Sequence, residues 1–188
     1  MWRLGLNLTH YKNVVTDLPL KDMPVSGVHK LAVGRSVYDF YMKQWAGVDP
    51  ENGDPLWYKN VKDANDKITG RTTTNDYAQA DYYYTGKSSL PKVYGGFNTA
   101  FSYKGFELST IFAYSIGNYI VDRDVTMLWH NGSSTGRAWS TEILNRWTPE
   151  NRYTDVPALK TVSNSWNANS TRNPVSYTHL TLPTNSLV

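Results

Sequence analysis

Residues 91–120 carry a pattern that few folds can satisfy. From Val93 onward one parity holds Val93, Phe97, Phe101 and Tyr103, while the other holds Tyr94, Gly96, Asn98, Ala100 and Ser102. Lys104-Gly105 interrupts the alternation, which resumes in the other register: Phe106, Leu108, Phe112, Tyr114 and Ile116 alternate with Glu107, Ser109, Ala113, Ser115 and Gly117. A period of two places successive side chains on opposite faces of a strand, so each run has one apolar face and one small-polar face. Two such runs around a tight turn predict a β-hairpin. A strand crossing a bilayer needs about 9–11 residues, and both runs reach that length with aromatic residues at their ends. The hairpin therefore has the proportions of two strands of a membrane barrel.

The first residues repeat the pattern. Trp2, Leu4, Leu6 and Leu8 share one parity and Arg3, Gly5, Asn7 and Thr9 the other, which predicts a strand over 2–9. No leader precedes it, so the natural N-terminus is expected to lie upstream. Composition supports an all-β reading. The 14 Tyr, 7 Trp and 5 Phe stand beside 13 Gly, a mixture suited to aromatic girdles in membrane barrels or to surfaces that contact carbohydrate. With 19 basic and 16 acidic residues and no basic run, no nucleic-acid surface is expected. The absence of cysteine excludes disulfides and thiolate metal sites. No apolar run is long enough for a transmembrane helix.

Between these strands, residues 10–90 read as a long excursion rich in turns. Asp49-Pro50-Glu51-Asn52-Gly53-Asp54-Pro55 is its densest turn cluster, because proline presets φ and Asn-Gly supplies positive φ. Tyr38, Phe40 and Tyr41 before it and Leu56-Trp57-Tyr58 after it suggest a second, smaller hairpin, and residues 72–89 read as a polar, Tyr-rich loop. A second excursion covers 121–173. In it Trp139, Ile143, Leu144 and Trp147 fall at helical spacing, with Glu142 early and Arg146 late as the helix dipole favours, and Thr148-Pro149 stops the helix. Outer-membrane barrels have short turns on the periplasmic side and long loops outside. On that rule Lys104-Gly105 is periplasmic and both excursions are extracellular. Strands at about 2–9, 93–103 and 106–120 then alternate in direction, with the apolar parity toward lipid and Glu107 toward the lumen.

Several stretches, in order, resemble the SusC/RagA-like TonB-linked transporters (TonB-dependent receptors) of the outer membrane of Bacteroidetes-type bacteria. They are Phe40-Tyr41, Trp45-Ala46-Gly47-Val48-Asp49-Pro50-Glu51-Asn52-Gly53-Asp54-Pro55, Pro91-Lys92-Val93-Tyr94-Gly95-Gly96-Phe97, and Phe101-Ser102-Tyr103-Lys104-Gly105-Phe106-Glu107-Leu108. Arg146-Trp147-Thr148-Pro149-Glu150-Asn151 and Thr154-Asp155-Val156-Pro157 complete the set. The resemblance implies a section of a large transmembrane antiparallel β-barrel with long extracellular loops and one short helix in a loop. It also implies energised uptake of an oligosaccharide or peptide, with a SusD-like lipoprotein over the barrel, TonB acting through a plug region, and outer-membrane lipid around it. A section with two open sheet edges is expected neither to fold alone in lipid nor to transport. Residues 1–174 carry the resemblance. From Val175 the sequence Val175-Ser176-Tyr177-Thr178-His179-Leu180-Thr181-Leu182-Pro183-Thr184 is also the translation of a transposon-end and sequencing-adapter string. Residues 175–188 are therefore expected to be read-through without selected function.

No catalytic constellation emerges. His10, His29, His130 and His179 have no metal-ligand spacing, and Glu142, Glu150 and Asp155 read as solvated carboxylates before they read as a glycosidase pair. The 49–54 cluster superficially matches a calcium loop, but its glycine is fifth where the motif needs it sixth. No enzyme, cofactor or metal is expected. The contact candidates are loop aromatics: Trp129, Trp139, Trp147, Trp166, Tyr82, Tyr83 and Tyr84, whose rings could stack on sugars or meet a partner, or simply pack the loops together. The alternative from another class is a secreted β-sandwich carbohydrate-binding module, which would bury its apolar parity in a core.

Overall fold

The computed structural model describes residues 1–20, 23–122, 128, 136 and 138–160. Eight strands follow in chain order: β1 Trp2–Thr9, β2 Asp39–Lys43, β3 Trp45–Val48, β4 Pro55–Lys62, β5 Ile68–Thr74, β6 Tyr82–Ser88, β7 Val93–Tyr103 and β8 Phe106–Ile116. They form a three-stranded sheet ordered β1-β7-β8, a β2-β6 pair, and a second three-stranded sheet ordered β3-β4-β5. Two compact units result among the described residues. One comprises residues 1–40 and 86–120, the other residues 41–85 and the described part of 121–160.

The first unit is built on the sheet expected from the period-two runs. β7 and β8 each have 11 residues, and their antiparallel register pairs Val93 with Ile116, Phe97 with Phe112, Phe101 with Leu108 and Tyr103 with Phe106. β1 lies antiparallel on the other edge of β7, with Trp2 opposite Phe101, Leu6 opposite Phe97 and Leu8 opposite Gly95. Directly opposed residues share a face. The three apolar parities therefore fall on one side of the sheet, and Arg3, Asn7, Asn98, Ser102, Glu107 and Ser109 on the other. The pattern is broken by Ile111, opposite Asn98, and Tyr94, opposite Ser115, both exposed on the polar face, and by the Thr99–Thr110 pair on the apolar one.

The connection between β7 and β8 has φ of 46° at Lys104 and 82° at Gly105. Two positive φ values in a two-residue loop define a type I′ turn, whose twist matches that of the flanking strands. β8 ends at Ile116, four residues before the expected limit at Ile120, because Gly117 turns the chain at φ 82°.

The second unit holds the hydrophobic core. Trp57, only 1 % exposed, is flanked edge-on by Trp45 and Tyr77 at ring-centroid distances of 5.6 and 5.2 Å. Its strand β4 pairs with β3 across the 49–54 turn and with β5 on the other side. The smaller hairpin is therefore present, but its first strand is Trp45–Val48. Tyr41 instead lies in β2, which pairs with β6. Residues 72–89, expected as loop, contribute the end of β5 and all of β6. The Thr and Tyr side chains that look polar in sequence are β-branched and aromatic, and both types suit a half-exposed pleated strand.

The loop helix is also present in altered form. It is a 3-10 helix at Thr141–Asn145, capped by the Ser140 hydroxyl accepting the Glu142 N–H at 3.3 Å. It stops at Arg146 because the Trp147 N–H leaves the helix to bond the Val156 carbonyl at 2.8 Å. Trp139 and Trp147 lie outside it on either side. Ile143 is its one buried residue, while Leu144 is 75 % exposed.

Candidate functional site

Three surfaces could carry function, and the sheet β1-β7-β8 presents two of them. Its apolar side exposes Trp2, Leu4, Leu6, Leu8, Phe101, Tyr103, Phe106, Leu108, Phe112 and Ile116 in one continuous field. None of the buried apolar residues among those described, such as Phe40, Met42, Trp57 or Ile143, comes from these strands. A monomeric soluble protein does not leave so large an apolar field uncovered, whereas lipid is a natural solvent for it. Cross-strand ties hold the field together. The Trp2 indole N–H donates to Thr99 Oγ1 at 2.9 Å, and Phe97 stacks on Phe112 at 6.0 Å. The Tyr114 hydroxyl donates to the Asn7 carbonyl at 2.8 Å, so its ring runs from β8 across Gly95 of β7 to β1.

The opposite side carries Arg3 and Glu107, which line one small recess near the tight turn. Small residues alternate with amides along it. The Asn7 side chain accepts the Gly96 N–H at 2.6 Å, and a Cβ on Gly5 would sit 2.1 Å from Asn98 Oδ1. This face is polar, small-featured and able to meet water or another polar body.

The third surface is the tyrosine cluster of the second unit. Strand geometry splits the three neighbouring candidates. Tyr82 and Tyr84 point to one side, where both meet Tyr41, at 5.6 Å in a stacked pair and at 4.7 Å in a tilted one. Tyr83 points to the other side and is buried, with its hydroxyl donating to Asn60 Oδ1 at 2.9 Å and the Arg71 guanidinium 4.1 Å above its ring. Burial, reinforced by the Asp81 carboxylate and opposed by Arg71, pushes the Tyr83 hydroxyl above its ordinary pKa.

Buried Lys43 supports the exposed side. Its Nζ donates to the Tyr77 carbonyl at 2.5 Å and lies 4.3 Å from the Tyr77 ring and 5.3 Å from the Tyr82 ring. Burial lowers its pKa, against the opposing pull of Asp76 and Asp81. The result is a tyrosine platform with a cation beneath one ring, able to stack on a sugar or an apolar side chain. Sequence reasoning missed Tyr41 and Lys43. Their signal was the parity they share on β2, readable only once β6 is known to be its partner.

The remaining candidates fall elsewhere. Trp147 packs against Gly53, and its indole N–H donates to the Pro50 carbonyl at 3.2 Å, closing the 49–54 turn. Trp139 is 42 % exposed, while Trp129 and Trp166 lie outside the described residues, as does the stretch 175–188. In the 49–54 turn, Asp54 is buried and engaged by Lys160 and by Asn75 Nδ2, the latter at 3.0 Å, and the Asp49 carboxylate accepts the Glu51 N–H at 2.9 Å. Its oxygens thus serve the turn itself. Among the described residues no group of three His, Asp or Glu could hold a metal, and Glu142, Glu150 and Asp155 are exposed.

An antiparallel sheet with one exposed apolar face, a polar reverse side and long connecting segments has the form of a section of a membrane β-barrel. Comparison with known proteins finds relatives of that form. The chain is similar to a TonB-dependent receptor of Formosa agariphila, 27 % identical over 173 residues that cover 83 % of this chain and 17 % of that one. It is also similar to the RagAB peptide transporter, at 27 % identity and a TM-score of 0.69, covering 87 % of this chain and 18 % of that one. The RagAB peptide importer in its closed-closed state gives a TM-score of 0.72 at 27 % identity over 93 % of this chain and 19 % of that one. The chain thus spans less than a fifth of the length of these relatives. No family model matches it. The resemblance to SusC/RagA-like TonB-linked transporters, read from the quoted motifs, is matched by these independent likenesses of sequence and fold.

Proposed function

We propose that this chain is a section of a TonB-dependent outer-membrane importer that takes up peptide or glycan fragments beneath a SusD-like surface lipoprotein. The observation that carries the reading is the single exposed apolar face shared by β1, β7 and β8. The relatives named as a TonB-dependent receptor and as a peptide importer support the class, and the latter favours peptide cargo.

In this reading the Lys104-Gly105 turn is periplasmic, and residues 10–90 and 121–173 are extracellular. The polar face of the sheet borders the lumen. The work is physical rather than covalent: loop surfaces such as the Tyr41, Tyr82 and Tyr84 platform select cargo, and TonB draws on a plug to open the path. Trp139 is a contact candidate on the same terms as Tyr82. A β-sandwich binding module fits less well, since it would bury the parity that is exposed here.

Expressing residues 1–174 alone tests the class. The expected product enters detergent micelles and is neither soluble nor monomeric without them. A soluble, monomeric β protein with a cooperative melt would refute the barrel reading.

A further inference from the structure

At the end of the β1-β7-β8 sheet opposite the Lys104-Gly105 turn, β1 gives out after Thr9 and β7 begins at Val93. The segments that leave this end line an open cavity of about 290 Å³, whose walls include His10, Lys12, Arg35, Asp39 and Lys92. Its charge is lopsided, with three permanent cations and a histidine against one carboxylate. That carboxylate, whose Oδ2 accepts the Ser36 N–H at 3.3 Å, offsets only one of the cations. Neither Lys12 nor Lys92 has an ion-pair partner among the described residues. The walls are held in place independently of any ligand. His10 Nδ1 donates to the Lys92 carbonyl at 2.6 Å, which ties the two strand ends together. Asn13 Oδ1 accepts from the Ser36 hydroxyl at 3.2 Å and from the Val37 N–H at 3.1 Å. Gathering like charges around one concavity costs free energy unless an anion lowers the repulsion. Tyr11 and Pro91 also line a neighbouring recess of about 380 Å³ that includes Tyr94 and Tyr114. An anionic group carried on a ring or apolar body could therefore occupy both.

We infer that this cavity is a binding site for a phosphate group, with Lys12 and Lys92 as its principal ligands. Two sources of that chemistry are available to a surface-exposed barrel end: the phosphorylated headgroup of a membrane glycolipid, and a free phosphorylated solute. The site itself does not depend on the importer reading; only the lipid source rests on it.

The full chain in detergent micelles is titrated with inorganic pyrophosphate, and separately with lipid A carrying or lacking its phosphates. Both lysines are exposed, and glutamine keeps the Cβ, Cγ and Cδ positions with which Lys92 lies beside Gly117. The pair K12Q/K92Q is expected to weaken phosphate binding at least about tenfold, because two charge-assisted contacts are lost. K12R/K92R retains it, and K62Q/K104N, which removes two cations elsewhere, leaves it unchanged. Tighter binding of phosphorylated lipid A than of pyrophosphate assigns the headgroup, and the reverse order assigns a soluble ligand. Absence of binding to both probes overturns the proposal, as does an equal loss in K62Q/K104N or a wild-type affinity insensitive to salt.

Discussion

Tyr114 reaches Asn7 only because nothing stands on Gly95. A Cβ built there would lie 2.2 Å from the Asn7 carbonyl oxygen and 2.7 Å from the Tyr114 hydroxyl. Both distances are far inside ordinary contact, and the first obstacle is backbone, which cannot swing aside. Gly95→Ala must therefore push β1 away from β7 locally or displace the tyrosine. Overpacking of this kind costs about 1–3 kcal/mol, and the lost Tyr114–Asn7 hydrogen bond adds about 1 kcal/mol. Replacing glycine in a strand returns roughly 0.5–1 kcal/mol of chain entropy. The expected net destabilisation is about 1–3.5 kcal/mol.

The neighbouring Gly96 provides the control, since its Cβ would come no closer than 3.3 Å to the Phe112 carbonyl oxygen. Gly96→Ala is expected to change stability by less than about 0.5 kcal/mol. Tyr114→Phe alone should cost about 1 kcal/mol. Because Gly95→Ala already evicts the hydroxyl, the double variant should cost no more than Gly95→Ala alone, a coupling of about 1 kcal/mol. Urea unfolding in micelles of the complete barrel carrying this section, followed by tryptophan fluorescence and far-UV circular dichroism, reads all four. Equal effects at Gly95 and Gly96, or strict additivity with Tyr114→Phe, would refute the interlock.

Three further outcomes can be measured in the same way. Lys104 holds φ 46°, a left-handed conformation that costs a non-glycine residue roughly 1 kcal/mol, so Lys104→Gly should stabilise the hairpin slightly and Lys104→Val should destabilise it by at least as much. On the apolar face Leu6→Arg, made in the complete barrel of the proposed importer, should cost about 2–4 kcal/mol in lipid vesicles, while Asn7→Arg on the reverse face costs much less; equal penalties would contradict the lipid-facing reading. Asp76 caps the Tyr77–Gln79 turn, and N–H donation from Ala78, then from the Gln79 side chain, holds its carboxyl below the ordinary value of 3.8. A depressed folded pKa means a contribution fully present above 3.8 and lost as pH falls through the folded value, so acid should release this turn. Fluorescence of Trp57, which touches Tyr77, reports it, and Asp76→Asn should flatten that acid transition.

The parts of the fold legible in sequence are those whose signal is local. The runs around Phe97 and Leu108 alternate over about ten residues with few breaks, Ile111 and Thr99 among them, so period alone indicates strand, face and turn. Lys104-Gly105 could be recognised as a tight turn because its length fixes the hairpin geometry. Residues 72–89 read as loop in sequence because Thr and Tyr signal both loop and exposed strand, and only pairing decides between them. Tyr82, Tyr83 and Tyr84 look alike by aromaticity, yet a strand cannot send adjacent side chains to one surface. Had β6 been recognised, Tyr83 would have been assigned to the interior at once. Trp147 illustrates a different limit. It matches a helical stripe with Ile143, but its place is set by Gly53, nearly a hundred residues earlier, which leaves room for the ring. The basic cavity escaped notice because His10, Lys12, Arg35 and Lys92 are scattered over more than eighty positions and form no run.

The two kinds of legibility follow from two kinds of stabilisation. The second unit depends on a water-driven core around Trp57, so its residues report burial, and its fold is specified by contacts distant in sequence. The β1-β7-β8 sheet buries no apolar side chain of its own. What specifies it is backbone pairing, the type I′ turn and cross-strand ties such as Tyr114 to Asn7, all of which follow from register. In water the sheet has every reason to find a cover for its apolar face; in lipid that reason disappears, and unpaired edges become the dominant cost. A sandwich domain has the opposite balance, with its stability concentrated in the face that this chain leaves open. The same alternating sequence could be written for either solvent, and the exposed apolar field across three neighbouring strands is what favours lipid in the proposed reading.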